Sequence, residues 1–278
     1  MSLLKKAAAT FSLVLTLGLA AAPPAQASYV FASADMNIGS LRFSFDDPNA
    51  VLVWAADWFG TVTAHAQDTD SGSDNDYAEY LGNDGSISAE AHTAHVNSLA
   101  TYEVQDGLNV AIDPNADVAA TTHSDLELSG KHKQADGFAN ANFDNFFFVS
   151  STDPIGLTVQ VTIDLDYAGQ LTGIADAGGF FDIFAGAFLE LYEIDQVTGV
   201  VREPAVAFDL FFDAASGSNT SYHNDFDGTL SVTYDLLYDD IYWLYAEADS
   251  EVYGAVPVPG SLSLLLLGAG ILVWRRRR

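Results

Sequence analysis

The feature that most constrains the fold is a strict two-residue alternation along residues 157–167. Odd positions carry apolar side chains and even positions carry polar ones, as in Leu157, Val159, Val161, Ile163, Leu165 and Tyr167 against Thr158, Gln160, Thr162, Asp164 and Asp166. Successive side chains of a β-strand point to opposite faces. The segment therefore predicts a strand with one face in a core and the other in water.

Other apolar segments between polar turns predict further strands. They cover residues 30–32, 41–45, 51–55, 61–66, 181–192, 205–212, 222–226, 230–236 and 241–248. Asn83-Asp84-Gly85 and Asp227-Gly228 are turn signals, and a one-residue phase slip within residues 87–104 predicts a β-bulge. No ordinary helix is apparent outside the two ends. These features predict an all-β protein, an antiparallel β-sandwich of jelly-roll type.

The N-terminus has the layout of a secretory signal peptide. Two lysines precede an apolar stretch at residues 7–22, and Ala25-Gln26-Ala27 forms a small-x-small cleavage site before Ser28. We expect residues 1–27 to form a signal helix that the secretion machinery recognises, with Ala25 and Ala27 directing cleavage. A retained N-terminal anchor is the alternative.

The C-terminus carries a second sorting pattern. Residues 256–260 read Val-Pro-Val-Pro-Gly, an apolar run follows at residues 261–274, and the chain ends in Arg275, Arg276, Arg277 and Arg278. A helix over this run would reach about 21 Å, which is short of a hydrocarbon core of about 30 Å. Arginines beside an apolar run favour the cytoplasmic side of a membrane. We therefore expect a membrane-directed apolar helix that is short for a permanent anchor.

The Pro-x-Pro segment, the short apolar run and the arginine cluster together resemble the PEP-CTERM sorting signal. In that family a membrane enzyme, an exosortase, is thought to recognise and remove the tail of proteins exported by polysaccharide-producing bacteria. The resemblance covers residues 256–278 and the expected signal peptide; the family's motif has Glu where this chain has Val258. It implies an exosortase-like partner, processing through Pro257, Pro259 and the arginines, and a place in the envelope, on the surface or outside the cell. An uncleaved tail anchor is the alternative.

The two signals enclose an acidic domain at residues 28–255. This domain retains four basic residues against all 38 acidic ones, a net charge of −34. Such a charge repels phosphates and so excludes nucleic acid as a partner. The chain has no cysteine, which excludes disulfides and thiol chemistry. Its aromatic and β-branched content predicts a folded domain, and its acidity reflects either bound cations or a salty habitat.

An acidic segment at residues 68–76 is the candidate metal site. Its candidate ligands are four closely spaced carboxylates, Asp68, Asp70, Asp74 and Asp76. Such groups converge on one cation when a loop curls, and Ca²⁺ takes about six to eight oxygen ligands. However, Gly72 is one position too early for an EF-hand. A solvated acidic loop is the alternative, so no cofactor is required and Ca²⁺ is left open.

Five aromatic residues bear on function: Trp54, Trp58, Tyr242, Trp243 and Tyr245. They could form a sugar-stacking platform, although aromatic residues in strands more often fill a core. No nucleophile elbow, phosphate loop or metalloprotease motif is present, so no catalytic residue is assigned. The first hypothesis is a non-enzymatic surface or extracellular-matrix protein. The alternatives are a calcium-dependent carbohydrate-binding sandwich and a secreted polysaccharide hydrolase, whose paired carboxylates need a geometry that sequence does not show.

Overall fold

The computed structural model describes residues 28–105, 115–130, 133–152, 154 and 157–256. This part of the chain contains strands and turns but no helix, and so no helix there is long and apolar enough to cross a membrane. The predicted signal and tail helices lie outside the described residues. The strands are β1 (Ser28–Phe45), β2 (Ala50–Trp54), β3 (Phe59–Asp68), β4 (Gly72–Leu81), β5 (Gly85–His92), β6 (Val96–Val104), β7 (Asn115–Gly130), β8 (Lys133–Ser151), β9 (Thr158–Ala175), β10 (Phe180–Asp195), β11 (Val200–Val201), β12 (Ala207–Gly217), β13 (Thr220–Leu237) and β14 (Tyr242–Val256).

Two antiparallel sheets form the sandwich, which confirms the predicted fold class. The six-stranded sheet has the order β13-β9-β1-β7-β6-β5. The eight-stranded sheet has the order β11-β10-β14-β8-β3-β4, with β12 paired to β10 and β2 paired to β8. Neighbours such as β7 and β8, or β13 and β14, lie in opposite sheets. The chain therefore crosses repeatedly between the two layers, as in jelly-roll folds.

The two-residue alternation builds the core between the sheets. On β9, Val161, Ile163 and Leu165 are fully buried, while the polar residues between them face outward. Leu157 is the exception: it precedes β9 and is 84% exposed. The core also depends on small residues beneath large rings. A Cβ at Gly60 would lie 2.3 Å from Cδ1 of Tyr102, so only glycine fits under this buried ring.

The predicted hairpin at Asp227-Gly228 is wrong. Both residues lie inside β13, where Gly228 pairs directly with Tyr167 of β9. A Cβ at Gly228 would lie 2.5 Å from the hydroxyl oxygen of Tyr167. The glycine therefore makes room for a cross-strand ring and not for a turn.

The predicted β-bulge within residues 87–104 is also wrong. The phase slip is the turn between β5 and β6, where the amide of Thr93 donates to the carbonyl of Val96 at 2.9 Å. A register shift does occur in β1, between Gly39 and Leu41. The two predicted strands at residues 30–32 and 41–45 are both parts of β1, on either side of this shift. The turn signal Asn83-Asp84-Gly85 is confirmed, because it separates β4 from β5.

Candidate functional site

The predicted metal ligands lie on the hairpin of β3 and β4, and each carboxylate has its own partners. Asp68 is buried, and its carboxylate accepts bonds from the amides of Asp70 at 2.7 Å and Ser71 at 2.5 Å. The Ser71 hydroxyl donates another at 2.7 Å. Burial opposes ionisation, but these donors outweigh it and hold the pKa of Asp68 well below its usual range. This carboxylate therefore closes the hairpin turn.

Asp70 points to two basic groups contributed by other strands and turns. Its carboxylate lies 3.0 Å from Nζ of Lys133 and 3.1 Å from Nε2 of His95. The bonds from Lys133 and then His95 lower the pKa of Asp70. Asp70 therefore forms an ion pair with Lys133 and a hydrogen bond with His95 at the edge of the sandwich.

Asp74 and Asp76 join the edge strands of the two sheets. The amide of His92 in β5 donates to Asp74 at 3.0 Å, and the amide of Glu90 donates to Asp76 at 3.1 Å. An edge strand presents amides that have no partner within its own sheet. These aspartates satisfy such amides and connect β4 to β5.

The same type of hydrogen bond between sheets occurs at the opposite edge of the sandwich. There the amide of Ser231 in β13 donates to the carboxylate of Asp209 in β12 at 2.9 Å. Aspartates on an edge strand of the eight-stranded sheet therefore bind backbone amides of the six-stranded sheet at both edges. The role of these aspartates as acceptors for amides of the other sheet was not predicted, because the sequence does not show which edge strands become neighbours.

The four carboxylates of the β3–β4 hairpin do not converge on a common point. Within the described ranges, no group of three or more His, Cys, Asp or Glu side chains is placed to hold a metal ion. The Ca²⁺ site stays a prediction, and the hairpin geometry favours the alternative of an acidic segment without metal.

The five predicted aromatic residues divide between the core and the surface. Trp54, Trp58 and Tyr242 are buried, with the two tryptophan ring centroids 4.7 Å apart. Trp243 and Tyr245 are half-buried and project from the outer face of the eight-stranded sheet. The first three therefore fill the core, whereas the other two lie on the surface, where a sugar-stacking role stays a prediction.

Trp243 is the centre of an outward-facing aromatic cluster. Its ring centroid lies 5.0 Å from Tyr192 on β10, 5.7 Å from Tyr245 on β14 and 6.4 Å from the stacked ring of Phe146 on β8. We call these four side chains the tryptophan cluster. Phe146, Trp243 and Tyr245 are half-buried, whereas Tyr192 is buried beneath the edge of the cluster.

Farther along the same face lies a second aromatic group, which we call the phenylalanine platform: Phe184 and Phe188 of β10 with Phe208 and Phe212 of β12. A Cβ at Gly186 would lie 2.8 Å from Cζ of Phe184 and 3.1 Å from Cε2 of Phe188. Both rings therefore lie over the glycine. Phe208 and Phe212 are 64% and 62% exposed, which is unusual for large apolar side chains on a sheet surface.

A row of carboxylates on β14 runs beside both aromatic groups. It consists of Glu247, Asp249 and Glu251, which share one face of the strand. The side-chain amide of Asn140 donates to Glu247 at 2.7 Å and to Asp249 at 2.6 Å, and the Tyr245 hydroxyl also donates to Glu247. Burial, and then the charge of Glu247, raise the pKa of Asp249 to about 7.

Basic side chains do not neutralise this row within the described structure. Arg42 pairs with Asp166, Lys133 pairs with Asp70, and Arg202 pairs with the acids of β10 near its C-terminal end. The outer face of the eight-stranded sheet thus combines aromatic rings, an amide donor and uncompensated carboxylates.

The outer face of the six-stranded sheet is organised differently. His123 lies between Asp35, 2.5 Å from Nδ1, and Asp125, 2.7 Å from Nε2. The side-chain amide of Asn97 donates to the carboxylate of Asp125 at 3.1 Å. The hydrogen bonds that the ring donates to Asp125 and Asp35 raise the pKa of His123 to about 10, so it is an imidazolium at neutral pH. The sequence does not show this site, because His123, Asp35 and Asn97 meet only through strand pairing.

The predicted sorting residues all lie outside the described residues. These are Ala25, Ala27, Pro257, Pro259, Arg275, Arg276, Arg277 and Arg278. Comparison of the chain with protein-family models, with curated proteins and with solved structures finds no significant match. The geometry of the outer faces is therefore the basis for the functional conclusion.

Proposed function

We propose that this is an exported, non-enzymatic surface or extracellular-matrix protein that binds extracellular polysaccharide through the outer face of its eight-stranded sheet. The secretion machinery exports it, and an exosortase-like enzyme processes the tail after the apolar segment has reached the membrane. The basis for export and processing is the sequence of the two ends. The basis for polysaccharide binding is the aromatic and polar surface described above.

The observation that carries the binding proposal is the tryptophan cluster with its adjacent polar groups. Sugar rings have apolar faces edged by hydroxyls, and they are bound by aromatic rings together with a few placed polar groups. Trp243 and Tyr245 supply half-buried rings, the buried Tyr192 supports Trp243 from the neighbouring strand, and Asn140 and Glu247 provide polar groups beside them. Such a surface suits a polymer that lies across a sheet.

The aromatic surface is also long enough for a polymer. Trp243 and Tyr253 mark its two ends on β14, where Tyr253 contacts Phe180 with ring centroids 6.1 Å apart. At about 3.4 Å per residue, the ten residue-to-residue steps between these positions extend roughly 34 Å. Several consecutive sugar residues can therefore contact the face, and weak single contacts add up through multivalency.

Substitution of Trp243 tests this proposal. We expect Trp243→Ala to weaken binding of the full-length, detergent-solubilised protein to its polysaccharide by about tenfold, because loss of a stacking ring costs roughly 1–2 kcal/mol. Affinity electrophoresis against a panel of neutral, amino and acidic polysaccharides measures the effect.

Tyr29→Ala is the matched control, because it removes a half-buried aromatic side chain from the outer face of the six-stranded sheet. It should bind as the wild type does. Binding to no polysaccharide, or equal loss in both variants, would contradict the proposed surface.

A secreted polysaccharide hydrolase is the second candidate, and the carboxylate row on β14 favours it. Glycosidases use one carboxyl group with a raised pKa as an acid and a second carboxylate about 5–10 Å away as nucleophile or base. Asp249 has such a raised pKa. However, Asn140 bridges Asp249 and Glu247 directly, so these two groups act as one hydrogen-bonded pair. Release of reducing ends, abolished by Glu247→Gln, would establish this candidate over non-enzymatic binding.

A further inference from the structure

We propose that the outer face of the eight-stranded sheet selects amino sugars that carry a free ammonium group, and that the phenylalanine platform and the carboxylates beside it form the selective subsite. This inference rests on the proposed polysaccharide-binding function and names the class of sugar residue that the face accepts.

A shallow groove at one end of the phenylalanine platform provides the space. It measures about 270 Å³ and is lined by Asp182, Ile183, Phe184, Ala214, Glu251 and Tyr253. Pockets that enclose small molecules measure about 300–1,000 Å³. The groove therefore suits one ring of a longer chain that lies across the sheet, more than an isolated small ligand.

Strand pairing places an aromatic ring and carboxylates around this groove. Phe184 is directly opposite Glu251, and Asp182 is directly opposite Tyr253. Directly opposed residues have Cβ atoms about 4.5–5.5 Å apart. A sugar ring stacked on Phe184 therefore has its substituents within reach of both carboxylates. An ammonium group at that place is attracted by the ring face and by the carboxylates together.

The charge of the groove favours a cation over neutral and anionic sugars. Arg42, Lys133 and Arg202 are engaged elsewhere, so no described Lys or Arg forms an ion pair with Asp182 or Glu251. Partial desolvation, followed by the charges of Asp182 and Asp136, raises the pKa of Glu251. An ammonium group relieves this repulsion, a neutral sugar leaves it in place, and a uronic acid adds to it.

A basic protein segment would also be attracted by charge. The rings argue for a sugar, because the half-buried Phe184 and Phe188 lie over Gly186 and Phe184 lines the shallow groove. A sugar ring stacks on such a surface through its apolar face. We therefore assign the groove to an amino-sugar residue, and a basic peptide serves as the competing ligand in the test.

Calorimetric titration of the full-length protein in detergent tests the assignment. The probes are a hexamer of β-1,4-linked glucosamine, its fully N-acetylated form and tetralysine, at a mildly acidic pH where the sugar amines are protonated. We expect the glucosamine hexamer to bind at least about fivefold more tightly than either comparison ligand, with an affinity that falls as salt is added. Glu251→Gln should remove most of that preference. Glu127→Gln should not, since it makes the same change at an exposed position on the outer face of the six-stranded sheet.

The outcomes separate this inference from the function on which it rests. Equal or tighter binding of the N-acetylated hexamer overturns the ammonium subsite but leaves polysaccharide binding intact. Equal binding of tetralysine overturns the assignment to a sugar at this groove. Failure to bind either hexamer or any polysaccharide in the panel overturns both proposals. An equal effect of Glu251→Gln and Glu127→Gln shows that only net charge is involved, which also overturns the subsite.

Discussion

The two outer faces of the sandwich hold their carboxylates in opposite ways. On the six-stranded sheet, Asp35 and Asp125 hold an imidazolium between them, and the amide of Asn97 donates to Asp125. On the eight-stranded sheet, Glu247 and Asp249 lie side by side and share only the amide of Asn140. The pair on the six-stranded sheet is partly neutralised within the protein, whereas the pair on the eight-stranded sheet is left to solvent or a ligand. Internal charge pairing stabilises a surface, whereas uncompensated charge beside exposed rings is typical of a binding surface.

Removal of His123 should have the largest effect on stability. His123→Ala leaves Asp35 and Asp125 facing each other without the cation between them. We expect the free energy of unfolding at neutral pH to fall by about 1–3 kcal/mol, at the low end of values for buried pairs because the ring is one-third exposed. Urea denaturation measures the change.

His223→Ala is the matched control for that substitution. His223 and Asp225 lie on the same face at 3.5 Å, but both are largely exposed. Loss of the His223 side chain should change the free energy of unfolding by less than about 0.5 kcal/mol. Equal effects of the two substitutions would show that His123 is an ordinary surface residue and would remove the contrast between the faces.

The pH dependence of stability should show the same pairing. His123 has a folded pKa of about 10, above the usual value near 6.5. Its stabilising contribution is therefore complete below about pH 6.5 and is lost as the pH rises toward 10. The wild type should lose stability in this window, and His123→Ala should lose less.

Asp249→Asn should have the next largest effect, with the opposite sign. The pKa of Asp249 rises from about 4 when unfolded to about 7 when folded, so the folded state holds an extra proton between these values. Stability therefore declines as the pH rises from about 4 to 7 and stays lower above that. The variant should match the wild type near pH 4 and exceed it by roughly 1–2 kcal/mol at pH 8.

Thermal unfolding across that pH range measures the difference between the two proteins. Asp227→Asn is the control, because it removes an exposed carboxylate from the six-stranded sheet without changing the pair on β14. Lower stability of Asp249→Asn at pH 8 would contradict the claim that Asp249 and Glu247 repel each other.

Calcium should have the smallest effect. Asp68 already accepts three bonds from its own hairpin, so millimolar CaCl₂ should raise the melting temperature no more than NaCl of equal ionic strength. Both salts should raise it by screening the net negative charge. By contrast, a site with a Kd of about 10 μM would add about 2.7 kcal/mol at 1 mM Ca²⁺. A calcium-specific increase of that size would restore the metal site predicted from the sequence.

Sequence reasoning identified the architecture where one pattern decides it. The alternation on β9 sorted Val161, Ile163 and Leu165 into the core because a strand has only two faces. It failed at Gly228, where a local turn signal competed with the pairing of two long strands. Local propensity is weak beside the many contacts of a paired strand.

The proposed binding surface was harder to predict, because it depends on which strands become neighbours. Trp243 and Tyr245 were recognised as aromatic but could not be separated from the buried Trp58 until their faces were known. The pairing of Gly186 with Phe212 and Asp249 involves three strands that are distant in sequence. These residues lie side by side because of the order and register of the strands, and the alternation of apolar and polar residues does not determine either.

The most direct test of the central claim is hydroxyl-radical footprinting of the full-length protein with and without its bound polysaccharide. We predict protection of the ring side chains on the eight-stranded sheet, including Trp243, Phe184 and Phe212, with no change at Tyr29 on the opposite face. Unchanged oxidation of the first three residues, or protection centred on Tyr29, would contradict the assignment of the eight-stranded face as the binding surface.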